Sequence, residues 1–382
     1  MDKFINRKIT YLNPNSKMTP IKKIIDFIGY RFFCKNKVDL DNLDISNFKS
    51  ICIVQMGHIG DFLLSTQMIS EIRKNFNGKL TLAINKNTFE LASNLKGIDE
   101  VIVLNHPRKI YSRSKDNSLF SAVKSFSKID ADLVLEVRGD INIIPFIRLF
   151  SNYKYLIGFD AGGTGFLLDK VLKYPYGEHI TKTYDKFLDF FKIAKPEVRK
   201  LDIYFDLKTF NPVKEDKYIV IAVGRTGSRS RDWDIENFIK LINMFLSNGY
   251  IVVLVGKVTP DESKEYEKFD NKNLINLTNK TTLMELFSVL RDASLFIGLD
   301  SGPTHAAAMF GIKTLVLYSG VVDFNVFRPI EAFGNVNIIK MNVECEKCYK
   351  INCENNICMK MITPEMVFYR AIELIDKSLS HE

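Results

Sequence analysis

At 382 residues the chain is long for one domain and comfortable for two. Its hydrophobic content of 46% and charged content of 26% are those of a globular protein. No apolar run reaches the ~18 residues of a membrane span, and the start MDKFINRKITYLNPNSK lacks the apolar stretch of a secretory signal, so a cytoplasmic protein is expected. The net charge is +8, and the first 50 residues hold ten Lys/Arg against five Asp/Glu. No basic stripe with interleaved aromatics follows, which argues against nucleic acid as a partner.

In chain order, residues 20–33 (PIKKIIDFIGYRFF) read as a basic amphipathic helix. Such a helix suits an anionic membrane surface. The plainer alternative is that its apolar face packs on the first domain. Ser50 to Gln55 is an apolar strand running into Met56-Gly57-His58-Ile59-Gly60-Asp61, with a helix over 62–76. Strands over 79–84, 100–104 and 133–137 alternate with helices over 88–95, 117–128 and 142–150, and Arg138-Gly139-Asp140 follows the last of these strands. This β/α alternation predicts a parallel sheet. Residues 158–183 are less regular, a helix is expected over 181–193, and the Pro-, Lys- and Asp-rich stretch 195–216 reads as the interdomain linker.

A second alternation begins at Lys217. Strand 218–223 leads into the loop Gly224-Arg225-Thr226-Gly227-Ser228-Arg229-Ser230-Arg231-Asp232-Trp233. Helices over 235–247 and 282–290 alternate with strands over 251–255 and 273–277. The segment LFIGLDSGPTHAAAMFGIKTLVLYS, residues 295–319, is strand, tight turn, helix and strand, with Pro303 near the helix start and Gly311 past its end. A last helix is expected over 364–379. The reading is α/β, with two Rossmann-like doubly wound domains facing a cleft.

Three places carry chemistry. The free N–H groups at the start of the 302–310 helix favour an anion, most often phosphate, and His305 lies in its first turn. Asp300 either faces the same ligand or merely caps the helix. Arg225, Arg229 and Arg231 suit a diphosphate clamp, or else form a solvated basic loop. Asp61 at a strand-to-helix turn suits a general base, or simply complements the helix dipole. The turn is Gly-x-x-Gly-Asp and not Gly-x-Gly-x-x-Gly, so a nicotinamide enzyme is disfavoured. Cys345, Cys348, Cys353 and Cys358 lie within 14 residues. They are either a structural zinc site or free, redox-labile thiols, and their spacing fits no standard zinc module.

Four ordered segments resemble one family. IVQMGHIGDFLLSTQMISEIRKNF is similar to the opening motif of the heptosyltransferase-like glycosyltransferases, family 9. GRTGSRSRDWDIENF resembles their phosphate loop, with Arg231 where Lys is usual, and GLDSGPTHAAAMFGIKTLVLYSG resembles their donor-site motif. CEKCYKINCENNICMKMITPEMV resembles a Cys-rich tail seen in many members. The resemblance covers about residues 50–375; the N-terminal extension lies outside it. It implies a GT-B fold and an inverting, metal-independent transfer without a cofactor, from a nucleotide diphosphate sugar donor, most familiarly ADP-heptose. Its acceptors are typically lipopolysaccharide or lipooligosaccharide cores at the inner face of the bacterial membrane.

The implied domains are the extension 1–49, an acceptor domain 50–205, a donor domain 206–362 and a C-terminal helix, 363–382, returning to the first domain. By position, Asp61 is the base, with Gly57, Gly60, Arg138 and Asp140 on the acceptor side. Arg225, Thr226, Arg231, Asp300, Ser301, Gly302, Thr304 and His305 bind the donor. The alternatives are a sugar-nucleotide epimerase of the same fold and a non-catalytic nucleotide-sugar binding protein.

Overall fold

A computed structural model of the chain describes residues 19–33, 40, 43–107, 118–195, 197, 200–207, 210, 213, 217–350 and 352–379. The first 18 residues of the extension, Cys34 and much of the 195–216 stretch lie outside the described residues. The chain divides into two compact units, Met1–Glu197 and Val198–Glu382.

The first unit runs α1 (Thr19–Phe33), β1 (Ser50–Gln55), α2 (Ile59–Lys74), β2 (Lys79–Ile84), α3 (Phe89–Ser93), β3 (Glu100–Val103), α4 (Leu119–Phe126), β4 (Asp130–Glu136), α5 (Ile144–Phe150), β5 (Asn152–Phe159), β6 (Lys170–Leu172) and α6 (Thr181–Phe190). The sheet is parallel, in the order β3-β2-β1-β4-β5-β6. β1 lies in the middle, which is why Ile51 to Val54 are all buried. On one face Phe126, Ile143, Ile144 and Ile147 pack on Cys52, Val54, Val134 and Leu156. β5 and β6 go beyond the expected elements. Asn152 to Tyr155 alternates polar with aromatic residues before a fully buried run from Leu156 to Phe159, so neither periodicity is clean along its length.

The second unit runs β7 (Ile219–Ala222), α7 (Ile235–Ser247), β8 (Val252–Val255), α8 (Pro260–Glu267), β9 (Leu274–Asn276), α9 (Leu283–Arg291), β10 (Leu295–Leu299), α10 (Gly302–Phe310), β11 (Lys313–Tyr318), α11 (Phe324–Phe327), β12 (Val336–Lys340), α12 (Ile357–Lys360) and α13 (Pro364–Leu379). Its sheet is also parallel, in the order β12-β11-β10-β7-β8-β9. α10 starts with Pro303 in its first turn and ends at Gly311 in the left-handed conformation, φ 77°, as the sequence predicts.

Two expected boundaries need correction. The units divide after Glu197 rather than after residue 205. Leu201, Tyr204 and Phe205 are buried, and Phe205 packs edge-on to Phe287, ring centres 6.0 Å apart, so this apolar cluster joins the second core. The C-terminal helix, expected to return to the first domain, builds the second core instead. Val367, Phe368, Ala371 and Leu374 form its apolar stripe there. Phe368 lies 5.0 Å from Phe245 of α7, and Lys313 Nζ donates to the Leu374 carbonyl at 2.7 Å. Among the described residues no helix is long and apolar enough to cross a membrane.

Candidate active site

Each sheet reverses its winding direction once, between β1 and β4 in the first unit and between β7 and β10 in the second. Loops leaving the carboxyl ends of such neighbouring strands diverge, and ligands of open α/β sheets bind in that crevice. In each unit the residues singled out from sequence cluster at this point.

In the first unit β1 ends at Gln55, fully buried. The chain turns through Gly57, and α2 begins three residues earlier than expected because His58 is extended and occupies the cap position. Asp61 therefore lies inside the first turn. Its Oδ2 accepts the His58 N–H at 3.0 Å and the Arg138 guanidinium at 2.8 Å. The helix-start contact and the Arg138 contact thus share Oδ2, and among the described residues both leave Oδ1 for another proton. Burial alone would raise this carboxyl's pKa; Arg138 and the His58 N–H overcome it and hold the group below the usual carboxylate range.

The pair needs Gly57, since a Cβ there would lie 2.4 Å from Arg138 Nη1 and 2.6 Å from Asp61 Cβ. Gly60 is buried in the same helical turn. Tyr184 donates to the Asp61 carbonyl at 2.9 Å, and Gln55 Nε2 donates to the Tyr184 hydroxyl at 3.2 Å. From the β4 side, Glu136 accepts the N–H groups of Arg138 and Gly139 at 3.3 and 2.6 Å. Burial and neighbouring Asp140 push its pKa up to about 8. Asp140 accepts the Asn142 N–H at 2.8 Å and lies 3.9 Å from His106 Nε2. Gln55, His106, Glu136 and Tyr184 escape the sequence reading. A polar residue closing a buried apolar strand, as Gln55 and Glu136 do, is the signal that could have found two of them.

In the second unit the loop after β7 closes in a 3-10 turn, Arg229–Arg231. Thr226 donates to Asp232 Oδ1 through both its N–H and its hydroxyl, each at 2.8 Å, which folds the loop onto itself. Arg231 Nη1 reaches Asp300 Oδ2 at 3.3 Å, and Nη2 donates to the Thr226 carbonyl at 3.4 Å. Asp300 is buried at the end of β10, with His305 Nε2 3.9 Å from its Oδ1. Ser301 is the extended cap residue of α10, its hydroxyl 3.4 Å from that of Thr304, which in turn donates to the Leu299 carbonyl. Gly302 is the first residue of the helix. Arg231, Asp300, Ser301, Gly302, Thr304 and His305 are thus brought together, and Thr226 joins them through its carbonyl. Arg225 is not drawn in: it pairs with Glu262 of α8 at 2.8 Å. The capping box Thr259–Glu262 fixes that carboxylate. A cavity of about 200 Å³ lies beside this pair, lined also by Trp233, Tyr266 and Leu299.

The four clustered cysteines are free thiols, Cys345 exposed and Cys358 buried. Among the described residues no three His, Cys, Asp or Glu side chains are grouped to hold a metal ion. The segment instead braces the loop after β7. Asn356 Nδ2 donates to the Asp232 carbonyl at 3.2 Å, and Trp233 Nε1 donates to the Ile362 carbonyl at 2.9 Å.

Two doubly wound units, each with a polar cluster at its switch point, define a protein of the GT-B fold class. A solved glycosyl transferase family 9 protein from Veillonella parvula is similar over 88% of this chain and 99% of its own, with a TM-score of 0.68 at 18% identity. The Escherichia coli heptosyltransferase WaaC, solved with ADP, is similar over 85% and 99%, with a TM-score of 0.67 at 15% identity. The profile of glycosyltransferase family 9 (heptosyltransferase) matches residues 121–358, and the chain belongs to that family. A lipooligosaccharide heptosyltransferase 2 from Campylobacter jejuni is 28% identical over 210 residues, 53% of this chain and 65% of the relative. The chain therefore spans a little under two thirds of that relative's length. The profile match begins after Asp61, so the first-loop assignment rests on the motif and the local geometry.

Proposed function

We propose that the chain is an inverting glycosyltransferase that moves a heptose-like sugar from a nucleotide diphosphate donor to a lipopolysaccharide or lipooligosaccharide core. The observation that supports it most is the split of chemistry between the units: a held carboxylate with an available oxygen in one, an arginine beside a helix N-terminus in the other. An acceptor hydroxyl at Asp61 gives its proton to Oδ1 as its oxygen attacks the anomeric carbon. The bond from that carbon to the diphosphate breaks, and its electron pair leaves with the diphosphate. Attack from the opposite face inverts the centre. Arg231 and the N–H groups at the start of α10 stabilise the charge developing on the leaving group, a task this arrangement performs without a metal ion. The ADP in the WaaC structure and the heptosyltransferase relatives support an adenine nucleotide and a heptose.

The test is incubation with a panel of nucleotide sugars, ADP-heptose included, with and without core oligosaccharide. Acceptor-dependent release of nucleoside diphosphate, with one sugar added to the acceptor, is the expected result. An epimerised donor without acceptor, or binding without turnover, would replace this reading with one of the two alternatives.

A further inference from the structure

α1 is seated the wrong way round for a helix that belongs to a core. Its inward positions are Asp26, 2% exposed, Gly29 and Tyr30, at i, i+3 and i+4. Gly29 lies so close to the turn 165–167 that a Cβ there would meet the Phe166 ring at 2.3 Å. Tyr30 packs edge-on to the same ring at 6.1 Å. A Cβ on Gly165 would in turn meet the Tyr30 hydroxyl at 2.4 Å. The seat is therefore specific, and it turns the apolar stripe outward: Ile24 is 59% exposed, Phe27 70% and Ile28 47%. Among the described side chains of α1, the outward-facing ones are the apolar Ile24, Phe27 and Ile28.

The same flank carries more apolar surface. α5 also packs on the 165–167 turn, and α4 packs on α5 through Phe126 and Phe146, 5.4 Å apart. Leu149 of α5 and Phe120 of α4 are 71% and 76% exposed. Charge points the same way. The sequences of α1, α4 and α5 contain a single acidic residue, Asp26, and it is buried. Lys23, Arg31 and Lys124 are exposed on these helices. Exposed apolar side chains on helices that also expose Lys23, Arg31 and Lys124, and whose one carboxylate is buried, match an anionic bilayer surface: the rings and branched chains enter the acyl boundary while the cations meet lipid phosphates.

We infer that α1, with the exposed ends of α4 and α5, docks this protein on an anionic lipid surface. The inference concerns where the protein works and stands whichever sugar it transfers. The experiment is cosedimentation of the full chain with vesicles of phosphatidylcholine alone and with about one third phosphatidylglycerol, at low and high salt. Binding to the anionic vesicles that weakens in salt is expected. Phe27→Asp/Ile28→Asp should lower that binding about tenfold or more. Nucleoside diphosphate binding by the same variant should stay unchanged, because both side chains already face out. Phe27→Trp should keep vesicle binding and show a blue-shifted emission on anionic vesicles. Absence of vesicle binding by the unaltered chain, or binding indifferent to the double substitution, would overturn the inference. So would a double variant that merely splits a dimer into monomers, since the stripe would then belong to a second copy.

Discussion

The two units solve one problem with the same parts in opposite places. In both, a carboxylate and a guanidinium meet where the sheet reverses direction. In the first unit the acid, Asp61, comes from the helix start that follows the first strand and the arginine, Arg138, from the loop after the fourth. In the second, the arginine, Arg231, follows the first strand and the acid, Asp300, follows the fourth. What differs is which member is pinned. Asp61 has one oxygen fixed by two donors and, among the described residues, the other left for a further proton. Among the described residues the Arg231 guanidinium is tied by contacts of 3.3 and 3.4 Å, long for charge-assisted bonds, so turning it away from them costs little. Under the proposed function, one topology serves as a base where the acid is held and as an anion site where the arginine is held loosely.

Breaking the first pair at its acid should have the largest effect. Asp61→Asn keeps the contact with Arg138 but removes the proton acceptor, so kcat should fall by at least ~100-fold while nucleoside diphosphate affinity, read by calorimetry, stays the same. Near-normal turnover would remove Asp61 from the chemistry. In the second pair, Arg231→Ala should weaken nucleoside diphosphate binding by about 2 kcal/mol, the scale of a lost charge-assisted hydrogen bond. An unchanged affinity would show that the mirrored pair serves structure alone.

Arg138→Gln sharpens the contrast further. Loss of orientation should cost about tenfold in kcat. Because Arg138 helps hold the Asp61 carboxyl low, its removal should also move the acidic limb of the pH–rate profile upward, and Arg138→Lys should restore part of both. A smaller effect is expected at Glu136. With its pKa pushed from 4.5 to about 8, the folded state keeps a proton that the unfolded chain loses, so stability falls as pH rises through that window. Glu136→Gln cannot titrate, and the difference in Tm between pH 5 and pH 8 should shrink. An unaltered difference would place the loss elsewhere.

Much of this was legible in the chain. Apolar strands ending in Gly-bearing turns announced both switch points, and the Pro303 and Gly311 signals bounded α10 closely. What stayed hidden depends on sheet order. Nothing local in Arg138-Gly139-Asp140 shows that it meets Asp61; that follows from β4 pairing with β1. Arg225 read as a donor contact because α8 went unrecognised: PDESKEYE has almost no apolar periodicity, and Thr259-Pro260-x-Glu262 was its one signal. α1 was misleading in another way, since periodicity reports that a helix has two faces but not which face is covered.

The brace on the loop after β7 has a consequence for a chain that is cut short. Asp232 is held by Asn356, 124 positions later, and Trp233 by the Ile362 carbonyl, 129 positions later. All six strands of the second sheet precede both partners in the chain. A chain ending near residue 350 would carry every strand of that sheet and α10, but neither the brace on this loop nor α13. The loop would lose both ties and the second core would lose Val367, Phe368, Ala371 and Leu374, so the cysteine-bearing segment and α13 secure the loop and the core together.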